Sequence, residues 1–240
     1  MKVDKYSEKI AKGAIIAFFG LFIAKGLTYL YTILVARLGS SKYGLITLGL
    51  TITLLLSYLA MLGMQNAITR YVAFYLGKKN KEGIKGTVAS ALRVILPISI
   101  IFTLLLFLLA PQIALTFFNN QELIPILRLF SLAIPSLVLS NVFIYAMVGL
   151  QNISYQVGIR DITENAVKLS LTFILIYLGY NLFGAVIAYL ISVSITTILS
   201  FYFIQKKVFL LDKKIKANIF TKELLKFSFP LIFAGMFTLI

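Results

Sequence analysis

The chain has 240 residues, of which 60% are hydrophobic and 13% charged, with no cysteine and no histidine. Soluble domains average about 45–50% apolar and about 25% charged residues, so this composition indicates a membrane protein and excludes disulfides, thiolate chemistry and histidine-based metal or catalytic sites. The net charge of +15 is divided among short loops between apolar runs, which argues against nucleic-acid binding.

Six apolar segments are long enough to cross a bilayer, which requires about 20 residues, and a seventh begins near the end of the sequence. The first is too long for a signal-peptide core and is expected to remain as a membrane helix. The second is expected to continue as helix to about Gly77, and the fifth is short, with a start that can lie as early as Asp161. The predicted spans are 13–36, 43–64, 86–109, 124–149, 165–180, 183–204 and 227 onward.

Lys and Arg residues are distributed unequally between alternate loops. The N-terminus and the even-numbered loops carry seventeen of them, with Arg160 and Lys168 assigned to the fourth loop, whereas the odd-numbered loops carry only Arg37 and Lys42. Because loops rich in Lys and Arg stay in the cytoplasm, we expect a cytoplasmic N-terminus. The sequence therefore predicts an all-α polytopic membrane protein of the cell (plasma) membrane.

The expected division of the chain follows from these spans. It comprises a cytoplasmic amphipathic lead-in at 1–12, a six-helix transmembrane lobe at 13–204, a basic cytoplasmic linker at 205–226, and the start of a seventh helix at 227–240. A helix that stops inside the bilayer leaves its last carbonyls unpaired, so we expect the sequence to be the first half of a longer chain. After six spans, a second lobe would run parallel to the first.

The eight acidic residues lie in or near the predicted segment ends, so no carboxylate pair is expected at membrane depth. They are Asp4, Glu8, Glu82, Glu122, Asp161, Glu164, Asp212 and Glu223. Without such a pair for acid and base chemistry, the sequence argues against an enzyme.

Several short motifs together resemble one transporter family. They are ARLGSSKYG (Ala36–Gly44), LGMQNAITRYVAFYLG (Leu62–Gly77), VGLQN (Val148–Asn152), the segment Ile159–Ser192, and KFSFPLIFAG (Lys226–Gly235). With these motifs the chain resembles the polysaccharide transporters, or oligosaccharide flippases, of the multidrug/oligosaccharidyl-lipid/polysaccharide (MOP) flippase superfamily. The resemblance implies two six-helix lobes around a substrate cavity, of which this chain would be the N-terminal one.

The resemblance also implies a function, which is the movement of a lipid-diphosphate-linked oligosaccharide from the cytoplasmic to the outer leaflet by alternating access. Its partners would be the lipid-linked saccharide, membrane lipids and the C-terminal lobe, with no cofactor. The alternatives are a drug/cation antiporter of the same superfamily, a truncated membrane protein that does not transport, and a major facilitator transporter. The loop GKKNKEGIK (Gly77–Lys85) argues against the last of these, because it lacks the Asp-Arg pair of the major facilitator motif.

Lys25 is the first candidate for substrate binding. It lies about 18 Å into the first span at 1.5 Å per residue, and a charge near the bilayer centre costs roughly 2.5–3.5 kcal/mol on insertion scales. Thr28 and Thr32 follow at helical spacing and share its face. We expect a cation in a wet cavity that attracts an anionic substrate, in preference to a lysine that snorkels to the interface.

Arg93 and Arg70 are the other candidate cations. Arg93 lies roughly 10 Å into the third span, and Arg70 follows the second span with Gln65 and Asn66 close by. Each arginine suits a cavity wall or mouth, and each equally suits contact with lipid phosphates. Arg128, near the other end of the fourth span, is expected to snorkel.

Two further patterns concern the fifth and sixth spans. Asn165 and Lys168 share a helix face with Asp161 and Thr172, which makes them candidates for the cavity or, for Lys168, for a salt bridge with Glu164. A small residue recurs at every fourth position of the sixth span, which favours close helix packing over a stripe of hydroxyl groups that faces the substrate. These residues are Gly184, Ala188, Ser192, Thr196 and Ser200, and kinks are expected at Pro97 and Pro135.

Overall fold

The computed structural model describes residues 2–208, 210 and 217–236, and every regular element in that part of the chain is a helix. Two π-helical segments occur, Ile113–Phe117 after α4 and Gln156–Thr163 between α7 and α8. The helices are α1 (Lys2–Ala36), α2 (Ser40–Ala60), α3 (Met64–Gly77), α4 (Lys81–Gln112), α5 (Leu123–Ser131), α6 (Ala133–Gly149), α7 (Ile153–Tyr155), α8 (Glu164–Tyr177), α9 (Asn181–Val208) and α10 (Thr221–Met236).

Helices long and apolar enough to cross a membrane confirm the predicted all-α polytopic membrane fold. In the described residues there are five of them: Phe18–Ala36, Ser40–Ala60, Lys81–Phe117, Leu123–Gly149 and Asn181–Val208. Residues 2–12, the expected lead-in, form the first turns of α1.

The fifth predicted span is longer than the sequence indicated. Helical backbone runs without a break from Ile153 to Tyr177, and this helix lies antiparallel to α9. The Tyr155 ring lies 4.9 Å from the Phe203 ring at one end, and at the other end Leu175 packs against Gly184. From residue 184 to 203 α9 rises about 28 Å, close to the hydrocarbon thickness of a bilayer. Helical backbone therefore begins before the predicted start at residues 161–165, and Arg160 and Lys168 lie in the helix rather than in a loop, whereas the extent of a membrane span here stays a prediction.

The second predicted helix is also divided. It was expected to continue to Gly77, but α2 ends at Ala60 and α3 begins at Met64. The backbone between them is left-handed at Leu62 (φ 47°) and at Gly63 (φ 68°). An α-helix cannot continue through such residues, so α3 forms a separate packing element.

The two prolines differ in their effect. Pro97 lies inside α4, which continues through it although proline cannot donate a hydrogen bond to the Arg93 carbonyl. Pro135, expected to kink a continuous helix, lies in the first turn of α6, and the helical run Leu123–Gly149 is interrupted at Leu132, just before that turn. A proline in the first turn loses no hydrogen bond within its own helix.

The connections between helices gather at two opposite ends of the bundle. A cavity of about 570 Å³ is bordered by Lys42, Glu122 and Tyr180, which brings the first, third and fifth connections together. At the other end the Asn218 amide donates to the Glu82 carbonyl at 3.4 Å. This arrangement is the one expected for helices of alternating direction, and which end faces the cytoplasm stays a prediction.

The core is formed mainly by α2, α4, α5, α6 and α9. Phe130 of α5 fills its centre and packs closely against Gly49 of α2. All five small residues of the α9 stripe are buried, as close packing requires. By contrast, α1 lies at the edge of the bundle, where Phe18, Phe22 and other large apolar side chains are exposed, as lipid-facing residues are.

Candidate functional site

A network of polar side chains joins α1 to α8 inside the bundle. Lys168 Nζ donates to Asn165 Oδ1 at 2.7 Å, and Asn165 Nδ2 donates to the Asp161 carbonyl at 2.7 Å. Thr28 Oγ1 lies 2.9 Å from the Ala24 carbonyl and 3.3 Å from Asn165 Oδ1, so its one proton is shared between them. The sequence predicted Thr28, Asn165 and Lys168 separately, and the structure brings them into direct contact.

Lys168 is the most enclosed charge of this network. Its side chain is only 9% exposed, and its ammonium lies 4.6 Å from the centre of the Tyr31 ring. The face of an aromatic ring attracts a cation, and the attraction strengthens where water is excluded. Lys168 is therefore held by a hydrogen bond on one side and by an aromatic ring on the other.

Glu164 lies beside this cation, deeper in the bundle than the sequence indicated. Lys168, Arg160 and Asp161 are its charged neighbours, and Thr196 Oγ1 of α9 lies near it without reaching hydrogen-bond geometry. Phe203 and Gly184 mark the two ends of the contact between α9 and the fifth helix. Thr196 lies about 10 Å from the first and about 18 Å from the second along α9, so it is well inside the bundle. The expectation that all acids lie near segment ends was therefore wrong for Glu164, because the fifth helix continues on both sides of it.

Lys25 is on the exposed side of this network. It is exposed on α1, and it and Arg160 are the cations that act on the Asp161 carboxylate. Thr32 Oγ1 bonds its own helix, at 2.9 Å from the Thr28 carbonyl, so of the two threonines only Thr28 reaches α8. Together the cluster holds three cations, at 25, 160 and 168, and two carboxylates, so it carries a net positive charge.

Some buried hydroxyl groups near the cluster have no hydrogen-bond partner in the described part of the chain. These are Thr172 Oγ1, one turn beyond Lys168, and Thr196 Oγ1 and Ser200 Oγ on α9. A buried polar group without a partner is costly, so such atoms are places where water or a ligand binds. The polar face predicted for the fifth helix thus leads from Asp161 into the bundle.

The remaining candidates form a second group, on α3 and α4. The Arg70 guanidinium lies over the Phe227 ring of α10 at 4.4 Å, and Gln65 Oε1 is buried with no partner among the described residues. Asn66 and Arg93 are exposed, and Arg93 is on the face of α4 opposite to the buried Ala91 and Ile95.

The two groups are not in contact with each other. The α1 helix packs on α8 and on the π-helical segment before it, whereas α3 and α4 pack on each other and on α10. The single cationic cavity expected from the sequence is therefore a cluster around Lys168 together with separate exposed arginines. Arg128, which was expected to snorkel, is exposed and lies over the Phe107 ring at 5.2 Å.

The start of α10 is fixed to the second group by a short docking segment, residues 217–220. The Phe220 amide donates to Ser90 Oγ at 3.1 Å, and the Phe220 ring lies 5.5 Å from both Tyr71 and Tyr75. A Cβ at Gly86 would overlap the Asn218 carbonyl oxygen, so glycine is required for this approach. Burial and the Glu223 carboxylate raise the pKa of the Tyr75 hydroxyl.

Sequence reasoning missed Tyr31, the depth of Glu164 and the position of Thr196 beside it. The available signal was the spacing of the charges at 160, 161, 164 and 168, which repeats with a helical period inside a long helix. No group of three or more Asp and Glu residues able to hold a metal occurs within the described ranges.

Comparison with known proteins gives consistent matches over nearly the whole chain. The model of a family described as "Polysaccharide biosynthesis protein" matches residues 10–240. An uncharacterized membrane protein of Methanocaldococcus jannaschii is 27% identical over 252 residues, which cover 98% of this chain and 48% of that protein. The chain thus spans about half the length of the curated relative it matches.

Solved structures share the fold at low sequence identity. A MOP superfamily transporter from Pyrococcus furiosus, in which the binding pocket has reverse polarity, has a TM-score of 0.73 at 18% identity, and the match covers 95% of this chain and 52% of that transporter. A MATE transporter in complex with MaD3S has a TM-score of 0.75 at 17% identity, and the match covers 95% of this chain and 53% of that transporter. An outward-facing multidrug resistance MATE transporter has a TM-score of 0.73 at 18% identity, and the match covers 85% of this chain and 46% of that transporter.

Proposed function

We propose that this chain, which belongs to the family described as "Polysaccharide biosynthesis protein", forms the N-terminal lobe of a MOP flippase that moves a lipid-diphosphate-linked saccharide across the membrane. Membership supports a membrane transporter, and the chemistry of the substrate rests on the cluster around Lys168. The cell membrane is proposed as its location and a second six-helix lobe as its partner.

The net positive charge of the cluster is the observation that carries the substrate class. Lys168 and Arg160 neutralise the two carboxylates from inside the bundle, which leaves the exposed ammonium of Lys25 as the excess charge. A diphosphate attracted to it would be held more strongly than in bulk water, because the surrounding helices lower the local dielectric constant. Arg70 and Arg93, both exposed, provide further positive charge outside the cluster.

The unpartnered hydroxyls support a role for the neighbouring interior in transport. Thr172, Thr196 and Ser200 would gain partners from water or from a bound polar group when the lobe changes conformation. The saccharide requires many such partners, and its lipid tail can remain in the bilayer beside α1.

The position of Glu164 favours a second candidate, a drug/cation antiporter. A carboxylate well inside a membrane helix is typical of a coupling-ion or cationic-substrate site. Lys168, however, already occupies the space beside Glu164 as an internal cation, which argues against the entry of another. We therefore keep the anionic saccharide as the first proposal.

Substitution of Lys25 tests the proposal. Lys25→Ala and Lys25→Glu in the intact transporter are expected to reduce complementation of a flippase-deficient strain at least tenfold, with Lys25→Glu the more severe because it repels the diphosphate. Lys25→Arg should retain activity, and Lys42→Ala, at the far end of the bundle, serves as the matched control with equal membrane levels.

Two outcomes would contradict the saccharide proposal. One is wild-type complementation by Lys25→Glu. The other is cation export that is lost in Glu164→Gln and kept in Lys25→Glu, which would favour the antiporter.

A further inference from the structure

A groove separate from the polar cluster opens between α1 and α8 toward the C-terminal ends of both helices. Its volume is about 520 Å³, within the range of roughly 300–1,000 Å³ typical of small-molecule sites. Its walls are almost entirely apolar, and they include Leu30, Ile33 and Leu34 of α1 and Leu169, Phe173 and Ile174 of α8.

The groove follows from how the two helices are joined. Contacts between polar groups hold them together at Thr28 with Asn165 and at Tyr31 with Lys168. Beyond that level apolar walls remain uncovered, since Ile33 is 38% and Phe173 59% exposed. Large apolar side chains exposed at membrane depth suit a hydrocarbon chain rather than water.

A single cation borders this apolar groove. Arg37 directly follows the end of α1, and within the described residues no carboxylate pairs with its guanidinium. From Leu30 to Arg37 is about 10 Å along the helix axis, so the charge lies at the membrane interface while the groove extends into the hydrocarbon region. A guanidinium at that depth matches the phosphate of a lipid head group.

We propose that this groove binds one phospholipid with an anionic head group, with an acyl chain between α1 and α8 and the phosphate on Arg37. The occupant follows from charge complementarity, because an apolar cavity ending in one arginine matches a molecule with an apolar chain and one anionic group. The groove lies on a different part of α1 from the exposed ammonium of Lys25, so this lipid site does not depend on the proposed transport function.

The absence of tryptophan from the sequence allows a direct test. Phe173→Trp places a single fluorophore in the groove, and Leu54→Trp places one on the exposed face of α2, outside the groove. Each variant is reconstituted in vesicles that mix phosphatidylglycerol and phosphatidylcholine, with one of the two lipids brominated on its acyl chains so that it quenches nearby tryptophan.

The expected result at Phe173→Trp is a roughly fivefold preference for brominated phosphatidylglycerol over brominated phosphatidylcholine. Leu54→Trp should report no preference. Adding Arg37→Gln to Phe173→Trp should remove the preference, and adding Lys42→Gln, which removes a different basic residue near this end, should leave it unchanged.

Equal quenching by the two lipids at Phe173→Trp would overturn the proposal, and so would a preference that survives Arg37→Gln. The same preference at both reporters would show only general attraction of anionic lipid to a basic protein. If Phe173→Trp does not reconstitute, Leu30→Trp places the reporter on the opposite wall of the groove and must give the same pattern.

Discussion

Lys168 shows how one residue can satisfy a charge inside a membrane protein. Burying an ammonium is costly unless hydrogen bonds and opposite charges replace water, and here Asn165, Glu164 and the Tyr31 ring do so. Of these partners, only Asn165 and Glu164 are near in sequence. The sequence could therefore predict the helix pair of Glu164 and Lys168, but not the aromatic ring that α1 contributes.

Removing the charge of Lys168 should destabilise the protein, because Asn165 and the Tyr31 ring lose their cationic partner and Glu164 loses one of its two neighbouring cations. We expect Lys168→Met to lower the free energy of unfolding by roughly 1–3 kcal/mol, the usual cost of leaving a buried polar group without its hydrogen-bond partner. Thermal unfolding in detergent measures the effect as a decrease in Tm.

Addition of Glu164→Gln to Lys168→Met should recover part of that loss, because no uncompensated charge then remains. Lys42→Met is the matched control at a position near the helix connections, with little expected change. If the single and double variants unfold at the same temperature, the two residues are not coupled.

At the scale of elements, hydropathy located the apolar helices well and failed where helices are interrupted or charged. The fifth helix was shortened in the prediction because its middle carries four charges between residues 160 and 168. The break after α2 was missed because it depends on left-handed backbone at Leu62, a residue with no intrinsic preference for that conformation. Both features are decided by the surrounding helices.

The docking segment 217–220 depends on a glycine that sequence alone did not single out. Gly86→Ala should displace this segment from α4, because a Cβ there would overlap backbone atoms that cannot rotate away. The chain has no cysteine, so Asn218→Cys provides a single labelling site. Its rate of reaction with maleimide should rise several-fold in the Gly86→Ala background.

Gly77→Ala is the matched control for this effect, since nothing lies within 4 Å of a Cβ at Gly77. An unchanged rate in Gly86→Ala would mean that the segment does not dock as the structure indicates.

At the scale of the whole molecule, the helices form a bundle whose connections alternate between two ends. The structure groups the connections around Lys42, Glu122 and Tyr180 at one end, and those around Glu82 and Asn218 at the other. The bundle itself has no preferred direction in the membrane. Its orientation is predicted from the Lys and Arg residues, which are concentrated in the connections at the end that holds Glu82 and Asn218.

This orientation can be tested by labelling single cysteines in intact cells. A maleimide that cannot cross the membrane should label Asn120→Cys and Tyr180→Cys directly, but Lys79→Cys only after permeabilisation. The reverse pattern would invert the predicted topology, and mixed labelling at a single site would contradict the alternation of the helices.

The sequence by itself determined that the chain is a helical membrane protein, approximately where most of its helices lie, and which transporter family it resembles. These properties depend on local composition, because twenty apolar residues in a row have one stable arrangement in lipid. Only the tertiary structure decided that Lys168 lies between Asn165 and Tyr31, that Glu164 is deep in the bundle, and that the arginines of α3 and α4 belong to a separate group. Such contacts join helices more than a hundred residues apart, and the packing of helix faces that creates them leaves no mark on a window of sequence.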